Sequence, residues 1–68
     1  MKWLPPNGSV QYTEDRKFCV VKANDKDFIA YELGPTTGNE LGVRPTDEAA
    51  RQCCEDFERE MTALRRAG

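Results

Sequence analysis

The chain is predicted to adopt an α+β fold, in which a small antiparallel sheet of three or four strands carries one C-terminal helix packed on it. Short β-branched and aromatic segments, separated by turn residues, occupy the first two-thirds of the sequence. A single amphipathic helical pattern occupies the last third. With 68 residues, the chain is expected to form one domain, residues 1–68, with a small core.

The strands are expected between residues 9 and 44. Residues 1–8 are predicted to form an irregular N-terminal arm, because Pro5 and Pro6 cannot donate ladder hydrogen bonds and Asn7-Gly8 is a turn signal. The polar residues 24–27 suit a hairpin built on a type I turn, and residues 34–39 a looser loop. The predicted strands are 9–13, 16–23, 28–33 and 40–44, paired consecutively as an antiparallel meander.

The helix is predicted over residues 46–66. Thr46 is a suitable N-cap, Pro45 stops any earlier helix, and Asp47 and Glu48 complement the positive end of the helix dipole. Gly68 is expected to close the helix. The apolar residues recur at helical spacing and predict one buried stripe: Ala50, Cys53, Cys54, Phe57, Met61 and Leu64.

One helix covers one face of a sheet, yet both faces of this sheet are predicted to be apolar. The covered face is predicted to carry Phe18, Val20, Ile29, Tyr31, Leu33, Leu41 and Val43. Alternation then places Cys19, Val21, Phe28 and Ala30 on the outer face, which is normally polar in an antiparallel sheet. Three explanations remain open: the two faces are reversed, the N-terminal arm with Trp3 and Leu4 covers this surface, or the surface is an interface.

Charge is distributed unevenly along the chain. The net charge is −2, with 12 acidic and 10 basic residues, and the whole excess of acid lies after residue 46. Such a helix face either keeps a small protein in solution or docks on a basic protein surface. The residues predicted to bind a partner are accordingly Cys19, Val21 and Phe28 on the sheet and Glu55 and Glu58 on the helix.

Catalytic chemistry is not expected. The chain has no histidine, no nucleophile motif of the Gly-x-Ser-x-Gly or Ser-x-x-Lys type, and no glycine spacing that would cradle a phosphate. Cys19, Cys53 and Cys54 lack the spacing of a zinc site, so we expect no metal and no cofactor. The three cysteines are interpreted as reduced structural residues.

Location and partner class are also expectations at this stage. No apolar run in the sequence is long enough for a signal peptide or a membrane span, so we expect a cytoplasmic protein without membrane contact. A homodimer is a further possibility, because so short a domain has a thin core of its own. The balance of charges favours a protein partner over nucleic acid.

The segment Leu41-Gly42-x-x-x-Thr46-x-Glu48-Ala49-Ala50-Arg51-x-x-Cys54-Glu55 resembles the end of a short, uncharacterised type of phage and prophage protein. That type has an N-terminal Trp, a hairpin, a Leu-Gly strand and a helix that opens Thr-x-acid-Ala-Ala. The resemblance runs from Trp3 to about Phe57. It implies a phage-encoded, non-enzymatic protein that binds a host protein and inhibits or redirects it, for example an antagonist of the anti-CRISPR kind.

The same segment is similar to two sheet-based DNA-binding domains, the plant ethylene-response-factor domain and the arm-binding domain of phage integrases. Both lay a three-stranded sheet in the major groove with one helix behind it. This similarity implies an alternative function, a sheet-based DNA-binding accessory factor. Here the strand regions offer Arg16, Lys17, Lys22 and Arg44, which are offset by nearby acidic residues.

Overall fold

The computed structural model describes residues 1–34 and 38–67. Four antiparallel strands lie in the order β1-β2-β3-β4, and one helix follows them. The predicted α+β fold class is confirmed. The elements are β1 (Val10–Tyr12), β2 (Phe18–Asn24), β3 (Asp27–Leu33), β4 (Gly38–Arg44) and α1 (Asp47–Ala67). Residues 35–37 of the loop predicted at 34–39, and the helix end predicted at Gly68, lie outside the described residues. Gly38 and Asn39 were predicted in this loop but belong to β4.

The N-terminal arm runs antiparallel beside β1. The Leu4 N–H donates to the Tyr12 carbonyl at 2.9 Å, and the Glu14 N–H donates to the Lys2 carbonyl at 2.8 Å. The arm turns back at Gly8, whose φ of +64° lies in the left-handed region that glycine adopts without strain. Trp3 pairs with Thr13 and packs against the core cluster beneath the helix. The arm therefore adds Trp3 to the side of the sheet that faces the helix.

A β-bulge at Ala23 sets which side chains of β3 meet the helix. Asn24 pairs with Asp27 at the hairpin end, but the register then shifts by one, and Val20 pairs with Ala30. Without the bulge, the ladder from Asn24 would have paired Val20 with Tyr31. A shift of one residue moves every side chain to the opposite face. Phe28 and Ala30 therefore face the helix, and Ile29, Tyr31 and Leu33 face away from it. Both predicted placements were wrong.

A second bulge separates Leu41 from Val43. Ala30 pairs with Gly42, whereas Tyr31 pairs with Glu40, so Leu41 is the extra residue in β4. Leu41 packs against the core cluster under the helix. Val43 pairs with Ile29 on the other face and is 44% exposed, so its predicted place beside Leu41 was also wrong.

The helix packs across β2, β3 and β4 through the first half of its apolar stripe. Ala50 and Cys54 are fully buried, and Cys53 and Phe57 pack against the same cluster. The stripe then runs past the sheet: Met61 is 38% exposed and Leu64 is 66% exposed, so their predicted burial was wrong. Thr46 is the N-cap, as predicted, since its Oγ1 accepts the Ala49 N–H at 3.1 Å.

The connection between β1 and β2 is held by Thr13, which is 1% exposed. Its Oγ1 accepts the Phe18 N–H at 3.2 Å and donates to Asp15 Oδ1 at 2.7 Å. The Lys17 N–H donates to the same carboxylate oxygen at 3.0 Å. These hydrogen bonds, that from Thr13 first, lower the pKa of Asp15. The turn also places Arg16 at a φ of +61°, close to the start of β2.

The core beneath the helix is small. Among the described residues, its buried apolar side chains are Phe18, Val20, Ala30, Ala50 and Cys54. Two of these five are alanines, which bury little apolar area. The described helix is too polar to cross a membrane.

Candidate functional site

The face of the sheet that points away from the helix carries mainly apolar side chains, and we call it the outer face. Its members follow from the register, because directly opposed residues in an antiparallel sheet share a face. The outer face consists of Val10, Tyr12, Cys19, Val21, Ile29, Tyr31, Leu33 and Val43, with Glu40 at its β4 end.

These side chains form two rows across the four strands. One row runs Tyr12, Cys19, Tyr31, Glu40, and the other runs Val10, Val21, Ile29, Val43. β-branched and aromatic side chains opposed in this way pack on one another along the sheet. Most of these side chains are half-buried, although the described helix lies on the opposite face.

Cys19 is the most deeply buried member of the outer face. It stands between Tyr12 and Tyr31 in its row and is 5% exposed. Burial raises the pKa of its thiol, which disfavours the reactive thiolate. Cys19 is therefore a small apolar residue between two tyrosines of the outer face.

Opposite charges mark the two ends of the tyrosine row. The guanidinium carbon of Arg16 lies 5.0 Å from the centroid of the Tyr12 ring, at the β1 end. Glu40 is paired with Tyr31 and is exposed, at the β4 end. The outer face thus has an apolar centre with a positive corner and a negative corner.

The residues predicted to bind a partner fall on both sides of the sheet. Cys19 and Val21 lie on the outer face, as placed by the alternation of β2. Phe28 does not: it pairs with Lys22 and packs against the core cluster under the helix. The Lys22 Nζ lies 5.9 Å from the centroid of the Phe28 ring. Phe28 is therefore a core residue, and its predicted exposure on the outer face was wrong because of the bulge at Ala23.

Glu55 and Glu58 lie on α1, on the other side of the sheet from Cys19 and Val21. Both are half-buried, and Glu58 lines a groove between the helix and the β1–β2 turn. Asp15, Glu32 and Lys17 also line this groove, so three acids surround one lysine. The groove is a negative surface beside the helix, and Leu33 of the outer face also lines it.

Several residues of the outer face were not predicted to bind a partner. The predicted covered face includes Tyr31 and Ile29, and Arg16 is predicted only as one of the basic residues of the strand regions. The signal that could have identified them is the register of the hairpin, since Val21 opposes Ile29 directly. Alternation within one strand does not supply that register.

The described residues offer little chemistry of other kinds. They contain no group of three or more Cys, Asp or Glu residues that could hold a metal ion. Burial raises the pKa of the Cys54 thiol to about 12, which keeps it protonated.

Comparison with protein-family models, with curated proteins and with solved structures finds no match to this chain.

Proposed function

We propose that the protein is a non-enzymatic binding module whose outer face docks on another protein. One observation carries the proposal: eight apolar side chains from four strands form a continuous surface, and the described helix packs on the other side of the sheet. The outer side of an antiparallel sheet is usually polar because it meets water. A large apolar patch with charged corners is typical of a protein-interaction site.

We extend the proposal to the class of partner, which is a host protein bound by a phage-encoded inhibitor or regulator, as in anti-CRISPR proteins. The resemblance of the segment from Leu41 to Glu55 to phage and prophage proteins supports this extension. The negative groove beside Glu58 adds a second surface, suited to a basic protein partner. Charge complementarity of this kind speeds association and selects the partner.

The composition of the outer face favours protein over DNA as the ligand. The DNA-binding domains to which the segment is similar place Arg and Trp on the exposed sheet surface. Here the corresponding rows carry valine, isoleucine, tyrosine and cysteine. Phosphate contacts require basic side chains, and Arg16 at one corner is opposed by Glu40 at the other.

The proposal is tested with Val21→Glu, which puts a carboxylate at the centre of the outer face. Burying this charge in an interface costs several kcal/mol, whereas on a free surface it stays hydrated. We expect the tagged wild-type protein to retain a partner from a bacterial lysate, identified by mass spectrometry, and the variant to lose it. The far-UV circular dichroism of the variant should match the wild type.

Ala63→Glu is the matched control, because it adds the same charge at an exposed position of the helix. It should bind as the wild type does. Glu55→Lys together with Glu58→Lys tests the acidic helix face at the negative groove, and should slow association and flatten its salt dependence. If Val21→Glu and this double variant both fold and bind every partner as the wild type does, the proposed docking surfaces are wrong.

A further inference from the structure

The two edges of the sheet are poorly suited to pairing with another chain. The N-terminal arm, with Pro5 and Pro6, lies along the β1 edge and offers few free N–H groups. On the β4 edge, the bulge at Leu41 interrupts the strand, and Arg44 Nη1 donates to the Val43 carbonyl at 2.9 Å. Bulges and charged side chains are devices that block edge-to-edge association. Association through the outer face is therefore favoured over extension of the sheet.

The charges on the outer face are arranged so that the face complements itself. Consider a twofold axis parallel to the strands and midway between two stacked outer faces. It turns the second copy over, so that β4 of the second copy faces β1 of the first and β3 faces β2. Arg16, at the β1 end of the tyrosine row, then meets Glu40 of the second copy at the β4 end. Because a twofold interface is isologous, the pair occurs twice.

The same axis matches side chains by size. Cys19, the small member of the tyrosine row, faces the ring of Tyr31 of the second copy, and Val21 faces Ile29 of the second copy. An axis running across the strands would instead stack β1 on β1 and β4 on β4. Neither Arg16 nor Glu40 would then meet an opposite charge.

We propose that the outer face is covered by a second copy of this chain, related by a twofold axis parallel to the strands, with reciprocal Arg16–Glu40 ion pairs at its two ends. This inference rests on the proposed function but names a second copy as the occupant of the outer face, which leaves the negative groove beside Glu58 as the surface for a different protein. It places two sheets in the middle and the two helices outside. Stacked sheets lie about 10 Å apart, a gap that Arg and Glu side chains together span.

The dimer is expected to be reversible. The three-residue β1 and the three seven-residue strands, about 4.8 Å apart with a rise of about 3.4 Å per residue, give a face of about 390 Å² in plan. A standard interface buries about 800 Å² of accessible surface on each partner. In this arrangement the negative groove beside Glu58 stays on the outside of each copy, accessible to a basic partner.

Sedimentation equilibrium of the full chain tests the proposal, from about 10 μM to about 1 mM because a small face implies weak affinity. We expect the wild type to dimerise and Val21→Glu to remain monomeric. Arg16→Glu and Glu40→Arg alone should each weaken dimerisation about tenfold, since each reversal acts twice. The double variant Arg16→Glu/Glu40→Arg should restore it to within about twofold of the wild type.

Lys26→Glu and Glu60→Arg are the matched controls, because they reverse exposed charges away from the outer face, and they should dimerise as the wild type does.

If Val21→Glu does not fold, the charge-swapped variant Arg16→Glu/Glu40→Arg tests the dimer instead, because both positions lie on the rim of the outer face. A double variant weaker than either single variant overturns the twofold arrangement. A wild type that stays monomeric at the highest concentration overturns the dimer. In that case, Val21-dependent capture of a different protein preserves the proposed function, and its absence overturns both.

Discussion

The rings of Phe18 in β2 and Phe57 in α1 meet edge to face, with their centroids 6.2 Å apart and their planes inclined at 71°. Phe18 is buried, whereas Phe57 keeps part of its ring exposed. The pair joins sheet and helix just before the apolar stripe leaves the sheet at Met61. Towards the C-terminus of the helix, this aromatic pair is therefore the last large contact that stabilises the packing of the helix on the sheet.

Truncation of Phe57 should destabilise the protein strongly. Phe57→Ala is expected to lower the free energy of unfolding by about 2–3 kcal/mol. Truncation of a fully buried Phe to Ala costs about 3–5 kcal/mol, and the cost is smaller here because the ring is partly exposed. Urea denaturation measures the change. Leu64→Ala lies on the same stripe beyond the sheet and should change it by less than about 0.5 kcal/mol. Equal effects of the two variants would show that the helix packs along its whole length.

Thr13 should be sensitive to loss of its hydroxyl group. Thr13→Val preserves the side-chain shape but leaves the Phe18 N–H without the hydroxyl acceptor, at a cost of about 1–3 kcal/mol. Thr13→Ser keeps the hydroxyl and should recover most of that stability. Thermal melts of the two variants provide the comparison. If valine is tolerated as well as serine, the hydroxyl does not hold the β1–β2 turn.

The N-cap of α1 offers an independent test at the other end of the helix. Thr46→Ala removes the acceptor of the Ala49 N–H and should cost about 1 kcal/mol. Thr46→Asp should retain the stability, because its carboxylate accepts the same hydrogen bond and complements the helix dipole. Both values follow from urea denaturation, and an unchanged midpoint for the alanine variant would contradict the capping role.

The buried thiol of Cys54 predicts a loss of stability in alkali. Its pKa is raised from 9.0 to about 12, first by burial, so the folded state keeps the proton that the unfolded state releases. The resulting stability is complete below pH 9 and is lost as the pH rises from 9 towards 12. The stability of the wild type relative to Cys54→Ala should therefore fall over this range. Parallel pH profiles for the two proteins would contradict the assignment.

Duplex DNA should bind no more tightly than about 10⁻⁴–10⁻⁶ M at physiological salt, the range of non-specific binding. With 12 acidic and 10 basic residues and an apolar outer face, the chain attracts phosphate weakly. Fluorescence anisotropy with a labelled duplex measures the affinity. Nanomolar binding with a steep salt dependence would favour the DNA-binding alternative over the proposed function.

The elements that could be predicted from the sequence are those with strong local signals. Thr46 marks the start of the helix, and the spacing of Ala50, Cys54 and Phe57 gives the stripe that packs on the sheet. The hairpin at residues 24–27 and the meander order follow from turn residues and short connections. Each of these depends on residues close together in the chain, so local preference was sufficient.

The composition of the candidate site was decided by tertiary structure. In β3 the two alternating sets, Phe28 with Ala30 and Ile29 with Tyr31, are both apolar, so the sequence pattern does not choose between them. The bulge at Ala23 determines which set faces the helix, because it shifts the pairing of β3 with β2 by one residue. The bulge at Leu41 does the same for β4.

The amino-acid sequence alone makes both sides of the sheet apolar and supplies one helix to cover them. Which side the helix takes is a matter of register between strands, and register depends on bulges that allow Leu41 and Ala30 to meet Ala50 and Cys54. Ala30, with a small side chain, lets the helix approach the sheet closely, whereas the opposite face carries Tyr12 and Tyr31. The register between the strands therefore placed Phe28 and Ala30 against the helix and left Ile29 and Tyr31 on the opposite side of the sheet.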